Sequence, residues 1–189
     1  MFKYSFCNAR LLVVRTNTTF NSVSMIKETL MSLQLLFTAP NEHECLAKNI
    51  YFEARNQSVA GQMAVSHVVM NRVKSDRYPN TICGVVEQGP VSRWWKEKHG
   101  KTVPIKNKCQ FSWFCDGLSD EPKEPTTWRK SLVVAHDAYT LHKLGTDLSE
   151  GSMWYHAQNV KPYWRSDFKY VSRIDDHLFY RTKDYKKVN

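Results

Sequence analysis

The sequence predicts a mainly helical α+β fold. Residues 41–55, 59–74 and 128–144 carry apolar residues at helical spacing. The stretch 152–181 is aromatic and strand-like, and residues 109–115 alternate polar and aromatic side chains as a short strand or hairpin would. Helices are therefore expected through most of the chain, and strands near its end.

The composition is that of a folded protein with excess positive charge. Of the 189 residues, 42% are hydrophobic and 13% aromatic, which excludes a disordered chain. The net charge of +9 suits an anionic partner such as nucleic acid, a membrane surface or a cell wall that bears carboxylates. Because the chain has no basic helix stripe and no RNA-binding motif, a nucleic-acid partner is not expected.

Residues 1–40 differ from the remainder. An apolar run at 11–14 is too short for a secretory signal or a membrane span. Residues 25–39 have the spacing of an amphipathic helix, which we favour over a degenerate export signal that starts at Met25. We therefore separate a leader, 1–40, from a domain, 41–189, and expect no transmembrane segment.

The first helix of the domain ends in a distinctive acid. Asn41 is a helix cap with Glu44 in the capping-box position. Glu53 lies at the edge of the apolar stripe, where a half-desolvated carboxylate has a raised pKa, as a general acid near neutral pH requires. The alternative is an ordinary surface Glu beside Lys48 or Arg55. The predicted stripe consists of Ala47, Ile50, Tyr51 and Ala54.

The segments that follow have simpler interpretations. Residues 59–74 are apolar nearly all round and predict the central buried helix, with His67 and Asn71 as satisfied polar groups of the core. Residues 91–108 are basic, contain Trp94 and Trp95, and show no clear period, so an exposed loop is expected.

The five cysteines indicate disulfides rather than a zinc site. No pair has C-x-x-C spacing, and the nearest histidines do not cluster with them. We expect a local Cys109–Cys115 bridge and a longer Cys45–Cys83 bridge, formed in an oxidising compartment, with Cys7 free. Four buried thiols in a cytosolic protein are the alternative.

Five segments in the same order resemble the SleB-like cell-wall hydrolase family, which includes spore-cortex-lytic enzymes and phage or bacterial peptidoglycan hydrolases. They are CLAKNIYFEAR, GQMAVSHVVMNRV, YPNTICGVV, CQFSWFCDG and MWYHAQNVKPYW with HLFYR, between Glu44 and Arg181. The resemblance implies a lysozyme-like single domain. It also implies lytic transglycosylase activity on the MurNAc–GlcNAc bond of peptidoglycan, with Glu53 as the catalytic acid. The leader and the longer, more basic segment 89–108 depart from the family pattern.

The resemblance also sets expectations for the surroundings of the site. Neither a cofactor nor a metal is expected, and the protein is expected to act as a monomer in the periplasm or cell wall, or, if phage-encoded, to be made in the host cytoplasm and released to the wall. Aromatic faces stack on sugars and polar tips bond their hydroxyls. The residues expected to face the sugar are Gln110, Ser112, Trp113, Tyr155, His156 and Tyr163.

Three other functions stay open at this stage. A hydrolytic muramidase or glucosaminidase needs a second carboxylate, and the candidates are Glu87, Asp116 and Asp120, none of them in a segment patterned like that of Glu53. The other two are a basic nucleic-acid-binding protein and a non-catalytic wall-binding module.

Overall fold

A computed structural model describes residues 41–185, so the interpretations of the leader and of Cys7 lie outside the described residues. Within this range no helix is long and apolar enough to span a bilayer. The α-helices are α1 (Glu42–Ala54), α2 (Val59–Val73), α3 (Ile82–Val86), α4 (Arg93–His99) and α5 (Pro125–Lys143), and 3-10 turns span Ser112–Cys115 and Tyr163–Asp167. The strands are β1 (Trp154–Ala157), β2 (Lys169–Ile174) and β3 (His177–Arg181).

The first two helices lie where the sequence predicts them. The Asn41 side chain accepts hydrogen bonds from the backbone N–H groups of His43 and Glu44 and so caps α1. Ser58 caps α2 by accepting from the N–H of Gly61. All four residues of the predicted stripe of α1 are buried, and α2 is buried over most of its length, as its apolar sequence indicates.

Helix α5 begins three residues earlier than its apolar spacing suggests. The Glu124 carboxylate accepts from the N–H groups of Thr126 and Thr127, and Pro125 occupies the first turn, where its missing N–H costs nothing. The helix gives way to Gly145, whose φ of 91° is the left-handed conformation expected of the predicted helix stop.

Two segments differ from their predicted structure. The 109–115 segment is not a strand or hairpin, because Phe111 and Trp113 both turn into the core and residues Ser112–Cys115 close into a 3-10 turn. The predicted loop at 91–108 contains the helix α4, capped by Ser92 and ended by Gly100 at φ 63°. A seven-residue helix is too short for its period to show in the sequence.

The C-terminal strands form the predicted sheet, which is antiparallel and has the order β1-β3-β2. A tight turn at Asp175 and Asp176 joins β2 to β3, with Asp175 at a positive φ of 50°. The Asp175 carboxylate accepts from both the N–H and the hydroxyl of Ser58, at 2.9 and 2.7 Å. This contact attaches the sheet to the start of α2.

Two hydrophobic clusters meet beside β1. One is built from the helices and includes Leu46 and Ile50 of α1, Val69 of α2 and Val134 of α5. The other joins α2 to the sheet and includes Val65, Val68 and Phe179. Tyr155 of β1 packs against both clusters.

Both predicted disulfides are present. Cys45–Cys83 connects α1 to α3, and Cys109–Cys115 closes the short segment that carries Phe111 and Trp113.

Candidate active site

The candidate active site forms where the last turn of α1 meets β1. Glu53 lies one residue before the end of α1 and is half-buried, at the edge of the stripe as predicted. The hydroxyl of Tyr155 donates a hydrogen bond to Glu53 Oε2 at 3.2 Å. These two residues are 102 positions apart in the chain, so the packing of the sheet on the helices creates the pair.

The surroundings of Glu53 favour its protonated form. Burial raises the pKa of Glu53, while the hydrogen bond from Tyr155 and the positive charge of Arg72 offset part of that rise. Burial and the charge of Glu53 also keep the pKa of Tyr155 well above 10, so its hydroxyl remains a donor. A carboxyl group with a raised pKa and a fixed donor is suited to general acid catalysis near neutral pH.

Arg72 supplies the positive charge near the acid, and sequence reasoning missed it. It is buried on α2, its Nε donates to the carbonyl of Met153 at 2.8 Å, and its guanidinium lies 5.3 and 5.4 Å from the ring centroids of Tyr78 and Phe111. Its Nη1 has no hydrogen-bond partner among the described residues. The available signal was that Arg72 is the one Lys, Arg, Asp or Glu residue of the mostly apolar helix α2.

Two stacked aromatic residues, Phe52 and Trp113, lie at the last turn of α1. The Trp113 indole is only 8% exposed, donates to Asn49 Oδ1 at 3.2 Å, and stacks on Phe52 with ring centroids 4.7 Å apart. Phe52 and Trp113 line a cleft of about 340 Å³ along the last turn of α1, and Glu53 itself is not one of its lining residues. The other lining residues are Tyr51, Arg55, Asp116, Leu118, Ser119, Glu121 and Lys123.

The structure brings only some of the six predicted sugar-facing residues close to Glu53. Tyr155 contacts the acid directly, and Trp113 lines the neighbouring cleft. Gln110 and Ser112 are exposed on the disulfide-closed segment that also carries Trp113.

The remaining two predicted residues lie elsewhere. Because side chains alternate along a strand, His156 lies on the opposite face of β1 from Tyr155, buried with its Nε2 3.1 Å from the Tyr180 hydroxyl. Tyr163 is 93% exposed on the second 3-10 turn. The sequence could not predict the exposure of Tyr163, because an aromatic-rich segment is as compatible with core packing as with ligand contact.

The pKa values of two other candidate acids, Glu87 and Asp120, are shifted by burial and by charges other than that of Glu53. Burial raises the pKa of Glu87, and nearby Asp120 and Lys48 act on it in opposite directions. Asp120 in turn lies near Asp116 and Lys48, and its pKa is raised by burial and by the Asp116 charge. Within residues 41–185, no group of three or more His, Cys, Asp or Glu side chains is arranged to hold a metal ion.

Comparison with known proteins places this architecture in a family. The family model described as Cell Wall Hydrolase matches residues 56–180. The chain belongs to the cell wall hydrolase family. The match begins three residues after Glu53, so it covers Tyr155 and Arg72 but not the acid itself.

Relatives of this cell wall hydrolase include spore cortex-lytic enzymes. The enzyme from Bacillus cereus is 41% identical over 46 residues, 24% of this chain and 18% of that protein. The enzyme from Bacillus subtilis is 39% identical over 46 residues, 24% of this chain and 15% of that protein. The matches therefore span less than a fifth of these curated relatives.

A solved structure confirms the fold. The catalytic domain of the germination-specific lytic transglycosylase SleB from Bacillus anthracis superposes with a TM-score of 0.53 and 23% identity, over 76% of this chain and 97% of that domain. The predicted lysozyme-like, mainly helical α+β fold is thus correct, and this cell wall hydrolase shares it at low sequence identity.

Proposed function

We propose that this cell wall hydrolase is a lytic transglycosylase that cleaves the MurNAc–GlcNAc bond of peptidoglycan, with Glu53 as acid and then base. The observation that carries the proposal is the state of Glu53: half-buried, with a raised pKa and a single side-chain donor, Tyr155. The similar proteins, spore cortex-lytic enzymes and the lytic transglycosylase SleB, agree with this chemistry.

One carboxyl group suffices for the reaction. Protonated Glu53 gives its proton to the glycosidic oxygen as the bond to that oxygen breaks, and the acetamido group of the substrate stabilises the sugar cation. The Glu53 carboxylate then takes the proton of the C6 hydroxyl as that oxygen closes the 1,6-anhydro ring. The acid is thereby regenerated, and no water is consumed.

The charges around Glu53 suit both halves of this cycle. Burial keeps a proton on the carboxyl group for the first step. Tyr155 and Arg72 stabilise the carboxylate left behind. They thereby limit the rise of the Glu53 pKa, so that the carboxyl group can still give its proton to the glycosidic oxygen. The clustering of Glu87 with Asp120 and Lys48 supports a mechanism without a second carboxylate.

The cleft along α1 is the proposed path of the glycan strand. Its wall of Phe52 and Trp113 is apolar, and the exposed polar groups of Gln110 and Ser112 lie on the same disulfide-closed segment. This combination of flat apolar surface and hydrogen-bonding groups fits a sugar chain. We assign Tyr155 to the positioning of Glu53 in addition to sugar contact.

The proposed place of action is the extracytoplasmic cell wall. Peptidoglycan lies there, and the two disulfides fit an oxidising compartment.

The mass of the products distinguishes transglycosylation from hydrolysis. The purified protein is incubated with peptidoglycan sacculi, and the released fragments are analysed by mass spectrometry beside a muramidase digest. Fragments lighter than the muramidase products by one water are expected, because the C6 hydroxyl replaces water as the nucleophile. It is held within the substrate and needs no separate immobilisation.

Variants of the remaining candidate acids serve as the control. Glu87→Gln and Asp120→Asn should each leave both the rate and the product masses close to the parent values. Asp116→Asn, in the wall of the proposed glycan cleft, should leave the product masses unchanged. Products that match the muramidase digest, or an Asp116→Asn variant as inactive as Glu53→Gln, would replace the transglycosylase proposal by a hydrolase with a second carboxylate.

A further inference from the structure

Helix α4 lies in a lobe that the proposed chemistry does not use. The lobe, residues 90–105, leaves and rejoins the domain as a closed loop: Ser92 N–H donates to the Val103 carbonyl and Ile105 N–H to the Pro90 carbonyl, both at 2.9 Å. We call this segment the Trp lobe. Helix α4 occupies it from Arg93 to His99.

Helix α4 exposes an apolar face that a short helix normally buries. None of its residues is buried, and Trp94 and Trp95 are 53% and 38% exposed. Trp95 and His99 lie one helical turn apart on one side of α4. Trp94 reaches both of them, and the three rings are in mutual contact at centroid distances of 4.8–5.2 Å. Short helices derive most of their stability from packing of such a face. An exposed apolar patch of this kind marks an interaction surface.

The charge of the Trp lobe defines the chemistry of its partner. Four Lys or Arg residues stand against one Glu in residues 90–105, and Lys106 and Lys108 follow directly. The described part of this segment shows no salt bridge between these bases and an acid of the domain. The surface therefore complements a dense negative charge.

The indoles are arranged for a lipid surface rather than for sugar stacking. Their planes meet at 88°, and Lys98 Nζ lies 5.3 Å from the ring centroid of Trp94, so they form no flat platform. Two aliphatic side chains of the same lobe, Val91 and Ile105, are also exposed. Indoles with aliphatic neighbours and flanking bases are typical of elements that lie in the interface of an anionic bilayer.

We propose that the Trp lobe docks the protein on the surface of anionic phospholipid membranes, with Trp94 and Trp95 in the interfacial layer and the flanking bases on the lipid phosphates. Docking of this kind is peripheral. It uses none of the residues that line the cleft along α1, and it does not depend on the chemistry of Glu53.

Vesicle sedimentation tests the proposal on the full chain. The protein is mixed with vesicles of phosphatidylglycerol and phosphatidylcholine in equal parts, with pure phosphatidylcholine vesicles, and with membrane-free sacculi. Lys96→Glu/Lys98→Glu should lower the partition coefficient on the anionic vesicles at least about tenfold, since each base near the surface contributes roughly 1 kcal/mol. Trp94→Ala/Trp95→Ala should lower it by a similar factor.

Matched controls distinguish an effect of the Trp lobe from a general effect of net charge or of exposed apolar side chains. Arg129→Glu/Lys130→Glu makes the same charge change on an exposed part of α5, and Val133→Ala/Leu144→Ala removes two exposed apolar side chains elsewhere. Both should bind the anionic vesicles like the parent. Glu53→Gln should also bind like the parent, so that loss of catalysis and loss of docking are separate results.

Three outcomes would overturn the docking proposal. They are a parent chain that fails to sediment with anionic vesicles, Trp-lobe variants that sediment as well as the parent, and Trp-lobe variants that lose affinity for membrane-free sacculi but not for vesicles. Light scattering adds a fourth: a dimer of the parent that Trp94→Ala/Trp95→Ala dissociates would assign this face to a second copy of the chain.

Discussion

Two half-buried acids of this protein, Glu53 and Asp147, have pKa values shifted in opposite directions. Asp147 accepts four hydrogen bonds, from the Asn71 side chain, the Ser149 N–H and hydroxyl, and the Gly151 N–H, at 2.6–2.9 Å. Burial alone would raise the pKa of Asp147, but these bonds lower it below its usual value. Glu53 accepts one hydrogen bond, and burial keeps its pKa raised.

The difference separates a structural acid, Asp147, from Glu53, the proposed catalytic acid. Asp147 fixes the turn between α5 and β1, and its region also holds buried His67 and His142 in their neutral forms. The Leu148 N–H donates to His67 Nδ1, and His142 Nε2–H donates to Asn71 Oδ1. A carboxylate whose oxygens accept several hydrogen bonds stays charged and stabilises the fold, whereas a carboxyl group with few hydrogen-bond partners can exchange its proton.

The largest effect is expected when the reactive acid alone is altered. Glu53→Gln should lower the rate of glycan cleavage by about three orders of magnitude, because the amide has the shape of the acid but no proton to give. Its unfolding midpoint should stay near the parent value or rise. The rate of sacculus solubilisation and a denaturant melt measure the two quantities.

The matched control for that substitution is Glu44→Gln, an exposed acid of the same helix. It should leave the rate unchanged. A folded Glu53→Gln protein that solubilises peptidoglycan as fast as the parent would remove Glu53 from the acid role.

The structural acid should show the reverse pattern. Asp147→Asn removes a charge that accepts four hydrogen bonds and turns part of an acceptor into a donor. A loss of about 2–3 kcal/mol in the free energy of unfolding is expected, with cleavage retained below the melting temperature. Asp137→Asn, at an exposed position of α5, should change stability by less than about 0.5 kcal/mol. Equal stability of the two variants would contradict this assignment.

The helical frame and the position of Glu53 within it follow from local patterns. The cap at Asn41, the stripe of α1 and the apolar α2 are all encoded within one or two helical turns, so their prediction needs no tertiary knowledge. The position of Glu53 at the stripe edge follows from the same period.

The partners of Glu53 could not be predicted in the same way. Tyr155 meets Glu53 only because β1 packs on the helices, and strand alternation then separates Tyr155 from His156. Trp113 lines the cleft with only 8% of its surface exposed, because the local disulfide and the Asn49 hydrogen bond turn most of its ring inward. A single sequence carries no signal for such contacts between distant segments.

Acid pH should act first on the structural region. Burial lowers the pKa of His142 from 6.5 to about 4. Between pH 6.5 and 4 the unfolded chain therefore binds a proton at His142, whereas the folded chain does not. The contribution of neutral His142 to the free energy of unfolding is complete above pH 6.5 and is lost as the pH falls toward 4. The loss from this group should be on the order of 3 kcal/mol.

A substitution identifies the group responsible for that loss. His142→Gln can keep a donor toward Asn71 but does not titrate, so its unfolding free energy should fall less steeply between pH 6.5 and 4. A residual slope is expected from buried His67, whose pKa is also lowered by burial. A variant with the slope of the parent would show that His142 takes no part.

The smallest effect is expected from the contact that links the reactive acid to the sheet. Tyr155→Phe removes the hydroxyl that donates to Glu53 Oε2 but keeps the ring between the two hydrophobic clusters. Because this hydrogen bond lowers the pKa of Glu53, its removal should raise that pKa further. A weaker acid in a looser position should cleave glycan about tenfold more slowly.

The pH profile decides whether Tyr155 acts through Glu53 or only through packing. The alkaline limb of kcat/KM reports the loss of the proton from the free enzyme's acid, so it should move to higher pH in Tyr155→Phe. Tyr170→Phe, which removes an exposed hydroxyl from β2, should leave both the rate and the limb in place. A slower Tyr155→Phe enzyme with an unmoved limb would mean that the hydroxyl supports the fold without setting the proton affinity of Glu53.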